Sequence, residues 1–144
     1  MTDGSTPRPD RTTAPEGGSR RGRVLVAEDD PVLQIVTVST LTILGYEVEV
    51  VPNGREAVHA VRRGCYVGVF MDCQMPEMDG YQATAEIRRQ EAGLRHIPII
   101  ALTATPTGAG REKCLAAGMD DYLTKPATQG QMEAVLQRWG RSEV

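Results

Sequence analysis

Four short apolar runs in this chain end in residues that could do chemistry together. Glu28 and Asp29 follow Val24-Leu25-Val26-Ala27, and Asp72 follows Val69-Phe70-Met71. Thr103 follows Ile99-Ile100-Ala101-Leu102, and Lys125 follows Tyr122-Leu123-Thr124. Three carboxylates brought to one place repel one another unless a cation sits among them. An all-oxygen donor set suits a hard divalent ion, and Mg²⁺ tolerates a few carboxylates completed by waters and a phosphate. No His or Cys joins the set, which disfavours zinc or copper. A lysine adds a compact positive charge and a threonine adds a hydroxyl. That combination suits phosphoryl transfer, where catalysis is mostly positioning and charge neutralisation. A carboxylate such as Asp72 can itself be the acceptor, as an acyl phosphate.

For these residues to meet, the runs that carry them must be neighbouring strands. From Val24 onward, strand and helix signals alternate five times. The expected strands are Val24–Ala27, Tyr46–Val51, Tyr66–Met71, Pro98–Leu102 and Asp121–Thr124. The first helix opens at Pro31, carries Val32, Leu33, Ile35, Val36, Leu41 and Leu44, and stops at Gly45. Asp30 is its expected cap, which leaves Asp29 as the ligand. Asn53, with Glu56 three residues on, caps the second helix. The third helix spans about 79–91, and the fourth about 111–117, ending at Gly118. The last carries Met132, Val135, Leu136 and Trp139 on one stripe. Such alternation implies a parallel, doubly wound α/β sheet with helices on both faces, whose strand ends share one crevice.

The remaining composition sets limits. Of 144 residues, 40% are hydrophobic and only 4% aromatic, so a core of Val, Ile, Leu, Met and Ala is expected. The net charge of −3 argues against a dedicated nucleic-acid surface. No apolar run reaches the roughly 20 residues of a membrane span or resembles a signal peptide. Cys65, Cys73 and Cys114 form no CxxC or Cys/His cluster and read as reduced thiols of a cytoplasmic protein. Cys73 reads as a small buried residue rather than a redox centre. His59 and His96 are isolated. Residues 1–22, rich in Ser, Thr, Pro, Gly and Arg, read as a disordered tail or linker, 23–140 as one domain, and 141–144 as a short C-terminal tail.

The wording at the strand ends carries a resemblance. Val24-Leu25-Val26-Ala27-Glu28-Asp29-Asp30, Met71-Asp72-Cys73-Gln74-Met75-Pro76-Glu77-Met78-Asp79-Gly80, Ala101-Leu102-Thr103-Ala104 and Tyr122-Leu123-Thr124-Lys125-Pro126 resemble, in this order, the receiver domain of two-component response regulators. The Met-Asp-Cys-Gln-Met-Pro wording is closer to receivers attached to hybrid histidine kinases. The resemblance implies a flavodoxin-like (βα)5 fold with strand order 2-1-3-4-5. It implies that Asp72 is the phosphoacceptor, and that Glu28, Asp29, Asp72 and the backbone carbonyl of Gln74 hold Mg²⁺, with Mn²⁺ a substitute. Lys125 would pair with a phosphoryl oxygen, Thr103 would be the switch hydroxyl and Tyr122 the aromatic switch. The partners implied are a histidine kinase or histidine phosphotransfer protein and a downstream protein target. Phosphorylation would alter the surface of the fourth helix, fifth strand and fifth helix, in a monomer or a phosphorylation-dependent dimer.

Such a protein is a signalling switch, not an enzyme acting on other substrates. Two readings compete with it. An aspartate-nucleophile, Mg²⁺-dependent phosphatase would need a second Asp two residues after Asp72, where this chain has Gln74. A non-phosphorylated pseudo-receiver would not need the complete set of acids, threonine and lysine. Departures from the family pattern are the Pro and Gly residues of Thr105–Gly110, which predict a short, mobile start to the fourth helix, and Ala127, where a Phe often follows Lys-Pro. Gln74 and Thr105 stand where the family tunes the lifetime of the acyl phosphate.

Overall fold

A computed structural model describes residues 21–104 and 108–139. Five strands alternate with five helices: β1 (Arg23–Ala27), α1 (Pro31–Ile43), β2 (Glu47–Val51), α2 (Gly54–Arg63), β3 (Gly68–Asp72), α3 (Gly80–Glu91), β4 (Ile99–Thr103), α4 (Gly108–Ala117), β5 (Asp121–Thr124) and α5 (Gln129–Trp139). All neighbouring strands are parallel and the order is β2-β1-β3-β4-β5. The flavodoxin-like arrangement expected from the sequence is the one observed. Among the described residues no helix is long and apolar enough to cross a membrane.

Strand side chains alternate between two cores, as the period of two requires. Leu25, Ala27, Val69, Met71, Ile99 and Ala101 face one side, against Ala57, Val61, Ala83, Ile87 and Cys114 of α2, α3 and α4. Val24, Val26, Phe70, Ile100 and Leu102 face the other, against Leu41 of α1 and Met132, Val135 and Leu136 of α5. Every residue of β3 is buried. A carboxylate at its end is thus delivered to the rim by a strand with no other route to water.

Helix starts follow the local signals. Asp30 accepts from the Val32 amide (2.9 Å), and Asn53 accepts from the Glu56 amide (2.9 Å). Asp79 and Gln82 form a reciprocal capping box at the start of α3.

Three expectations need adjustment. The third strand begins at Gly68 rather than Tyr66 and includes Asp72, because parallel pairing with β4 extends to the Asp72–Leu102 position. The fourth helix starts at Gly108, three residues before Arg111. The amides of a first turn have no intrahelical partners in any case, so glycine costs less there than in a helix interior. The expected mobile start falls partly on residues 105–107, outside the described residues, as do residues 1–20 of the expected N-terminal tail (1–22) and the whole expected C-terminal tail (141–144). Finally, the apolar run of α1 does not all enter the core: Leu41 is buried, whereas Val32, Ile35 and Ile43 are about two-thirds exposed.

Candidate functional site

The carboxyl ends of β1, β3, β4 and β5 bring the predicted residues to one rim. Glu28 follows β1, and its amide donates to the Val51 carbonyl of β2 (3.0 Å). Asp72 ends β3, and the next amide, that of Cys73, donates to Leu102 of β4 (3.0 Å). Thr103 ends β4, and its carbonyl accepts from the amide of Lys125, just past β5 (2.8 Å). The sheet ladder itself therefore sets the spacing of acid, hydroxyl and amine.

Glu28, Asp29 and Asp72 each offer a carboxylate oxygen, and these three atoms lie within 4.8 Å of one another. Glu28 and Asp72 are buried, while Asp29 is exposed at the mouth. Lys125 Nζ donates to Asp72 Oδ2 at 3.0 Å and stands 3.5 Å from Glu28 Oε1. Glu28 Oε2 accepts from the Asp30 amide (3.1 Å), but its buried Oε1 has no hydrogen-bond partner. A buried carboxylate oxygen held only by the long ion pair to Lys125, beside two further carboxylates, is part of a donor set that a hard cation would satisfy. Burial, reinforced by Asp72, pushes the Glu28 carboxyl up to about 7, against the opposing Asp30 amide and the Lys125 charge. The Lys125 ammonium is disfavoured by burial, but its hydrogen bond and charge pairing with Asp72, together with Glu28, raise it above its ordinary value.

The loop after Asp72 wraps against the site. The Gln74 amide donates to Asp72 Oδ1 (3.1 Å), which fixes one carboxylate oxygen and lays the Gln74 main chain beside the acid. The Gly80 amide returns to the Cys73 carbonyl (3.2 Å), closing the loop, and Glu77 takes a positive φ of 69° within it. Gly54 pins the loop to α2 through the Met78 carbonyl (2.9 Å).

A cleft of about 130 Å³ opens at Asp72, lined also by Cys73, Gln74, Tyr81, Thr103, Ala104, Gly110 and Lys125. Tyr122 is half-buried and packs on the core face shared with α2, α3 and α4. Sequence reasoning missed Tyr81 and Gly110 as cleft residues. The signal available for Tyr81 was its place immediately after Gly80, where Asp79 caps α3 and aims the first turn toward the end of β3. Tyr81 packs against the core face that holds Cys73 and Cys114, and Lys113 Nζ lies 4.5 Å from its ring centre. Burial pushes the Cys73 thiol up to about 12, against the Tyr81 hydrogen bond and with Cys114 and Asp72 adding to the rise.

Comparison with known proteins places this geometry in context. The chain is 42% identical over 127 residues to the sensor protein GacS of Pseudomonas syringae pv. syringae, covering 87% of this chain and 14% of that protein. It is 37% identical over 148 residues to histidine kinase 1 of Arabidopsis thaliana, covering 79% of this chain and 12% of the relative. The chain thus spans only a small part of these curated relatives. Among solved structures, it superposes with a TM-score of 0.75 and 48% identity on the receiver domain of the sensor histidine kinase PA1611 from Pseudomonas aeruginosa PAO1, which has a magnesium ion coordinated in its active-site cleft. That match covers 82% of this chain and 96% of the other. The receiver domain of the Saccharomyces cerevisiae regulator Ssk1, crystallised with the histidine phosphotransfer protein Ypd1, matches with a TM-score of 0.75 and 31% identity, covering 82% and 88%. Residues 24–137 match the response regulator receiver domain, and the chain belongs to that family, with hybrid histidine kinase receivers among its relatives.

Proposed function

We propose that this chain is a phosphoryl-accepting switch in which Asp72 takes the phosphoryl group from a phosphohistidine of a histidine kinase or histidine phosphotransfer protein. The observation that carries this reading is the meeting of Asp72 with Lys125 at 3.0 Å, beside the Glu28 and Asp29 carboxylates, at the end of a fully buried strand. A carboxylate oxygen of Asp72 attacks phosphorus, the O–P bond forms and the N–P bond breaks. The donor imidazole leaves with its electron pair, and the product is an aspartyl phosphate.

Glu28, Asp29, Asp72 and the Gln74 carbonyl are the proposed ligands of a Mg²⁺ ion, which Mn²⁺ could replace. When bound, the ion neutralises charge on the transferring phosphoryl oxygens. Lys125 holds the Asp72 side chain in place before transfer, then pairs with a phosphoryl oxygen afterwards. Thr103 lines the same cleft and supplies a hydroxyl to the new group. The added charge biases a two-state arrangement in which Thr103 moves inward and Tyr122 follows. The α4–β5–α5 surface is the proposed output face, and the domain works in the cytoplasm as a monomer or a phosphorylation-dependent dimer. It catalyses only its own phosphorylation and autodephosphorylation.

The exposed apolar row of α1 supports a protein donor. Glu28 is tied to this helix through the Asp30 amide and through Gln34 Nε2, which donates to the Glu28 carbonyl (2.6 Å). Val32, Ile35 and Val36 therefore present an apolar surface next to the acids. The test is incubation with Mg²⁺ and acetyl phosphate, read by intact mass. One phosphoryl group should be gained, and none by Asp72→Asn or without the metal. No adduct on the unmutated protein, despite demonstrated Mg²⁺ binding, would sink the reading.

A further inference from the structure

Glycines stand at the first positions of α2 and α3, and both meet the loop that follows Asp72. Gly80 closes the base of that loop, its amide donating to the Cys73 carbonyl (3.2 Å). Gly54 holds the far end: it is buried, and its amide donates to the Met78 carbonyl (2.9 Å). The Met78 amide in turn donates to the Pro76 carbonyl (2.7 Å), two residues beyond Gln74. Main-chain bonds thus lead from α2 to within two residues of the Gln74 carbonyl. Arg55 adds an ion pair with Glu77 (3.7 Å). Glu77 takes a positive φ of 69°, which a non-glycine residue keeps only where its surroundings hold it.

Gly54 is needed for space rather than for backbone freedom. Its φ is not among the positive values of the described glycines, and alanine is the better helix former. Yet a β-carbon there would lie 2.3 Å from the Met78 carbonyl oxygen and 3.0 Å from that of Asp79. Both obstacles are main chain, so neither swings aside as the end of a flexible side chain would. Met78 also packs against the core face that α2 and α3 share, which ties the loop from within. Any side chain at position 54 therefore moves the loop, the helix or both.

We propose that Gly54 is a positioning residue for the metal site, its bare α-carbon seating the loop so that the Gln74 carbonyl faces the ion. The assignment rests on the reading of that carbonyl as a Mg²⁺ ligand. Mg²⁺ demands near-ideal octahedral geometry, whereas Ca²⁺ accepts longer and more variable oxygen contacts. A displaced carbonyl therefore penalises Mg²⁺ more than Ca²⁺. A loss of stability or a change of net charge acts on the two ions alike.

The test is calorimetric titration of the full chain with MgCl₂ and, separately, CaCl₂, after circular dichroism has verified folding. Gly54→Ala should weaken Mg²⁺ binding by about tenfold or more, the scale of losing a group that orients a metal ligand. Ca²⁺ binding should weaken less. Arg55→Glu, at an exposed residue, keeps the buried contacts and sets two like charges together at the end of the loop. It should lower the preference for Mg²⁺ over Ca²⁺ by about threefold, the scale of an exposed charge pair. Arg88→Ala, away from the site, should leave that preference unchanged. An unchanged preference in folded Gly54→Ala overturns the proposal; if that variant does not fold, an unchanged preference in Arg55→Glu does so. An equal shift in Arg88→Ala also overturns it, because the preference then only follows stability. In each of these cases the unmutated chain still binds Mg²⁺, and the role of Gly54 alone is refuted. An unmutated chain that binds no Mg²⁺ refutes the metal reading itself, and the role of Gly54 with it.

Discussion

A β-carbon on Gly80 would lie 2.3 Å from the carbonyl oxygen of Asp72 and 2.9 Å from the Met71 side chain. The start of α3 thus rests directly on the backbone of Asp72. Neither neighbour can retreat cheaply, since one is main chain at the end of a buried strand. Gly80→Ala should destabilise the fold by about 2 kcal/mol, within the range for overpacked sites. Gly130 in α5 has nothing within 4 Å of its would-be β-carbon. Gly130→Ala should therefore be neutral or stabilising by up to about 1 kcal/mol. Urea denaturation of the two variants side by side checks the contrast, and equal effects would refute it.

Lys125→Ala removes the ammonium that pairs with Asp72 and Glu28. The acids remain able to take up Mg²⁺, so metal binding should persist. Phosphorylation should slow by at least about tenfold, a conservative figure for losing one positioned charge at a reacting oxygen. The output surface should also fail to respond. Trp139 reports on that surface, because its indole N–H donates to Asp121 Oδ2 of β5 (3.0 Å). Emission from this single tryptophan should change on phosphorylation of the unmutated protein and stay flat in the variant.

The raised Glu28 carboxyl has a pH consequence with a definite sign. Without metal, the folded state holds a proton at Glu28 that the unfolded chain has already lost between 4.5 and about 7. Stability from this group therefore falls as pH rises through that window. Mg²⁺ needs the ionised form, so its affinity should rise with pH, by up to about tenfold per unit below neutrality. Thermal shifts on adding Mg²⁺ should be larger near pH 8 than near pH 6. A pH-independent shift would remove Glu28 from the ligand set.

Ile35→Asp alters an α1 side chain that is 68% exposed and contributes nothing to the buried core. It should leave phosphorylation by acetyl phosphate within about twofold, as surface substitutions away from packed features usually do. Transfer from a phosphorylated histidine phosphotransfer partner should fall by about tenfold or more, the loss expected from an interface anchor. Equal effects on both donors would count against α1 as the docking face.

Arg88 offers a test of the framework away from the site. It bonds the Gly118 and Ile97 carbonyls and pairs with Glu91 (2.9 Å) and Asp120 (3.0 Å). Asp120 in turn accepts from the Ile99 amide (2.8 Å). Arg88→Ala leaves two largely buried acids without their cation and should cost about 3 kcal/mol or more, measured by chemical denaturation.

The strand runs, the helix caps at Asp30 and Asn53, and the acids placed just after apolar segments were legible from residue order alone. These features depend on neighbours within a few positions, where periodicity and capping chemistry act. The convergence of Glu28, Asp72, Thr103 and Lys125 could also be inferred, because a parallel sheet brings its strand ends to one edge whatever fills the loops. Other relationships arise from which helix face meets which strand, and no local pattern encodes that choice. The Arg88 knot spans 32 positions to Asp120, and the core face that buries both Cys73 and Cys114 joins residues 41 positions apart. The exposure of Val32 and Ile35 belongs here too: their apolar spacing reads as core, but α1 turns Leu41 to the sheet and leaves them outside. Burial then tunes the site, since the upward push on Glu28 comes first from being packed away from water rather than from its neighbours along the chain.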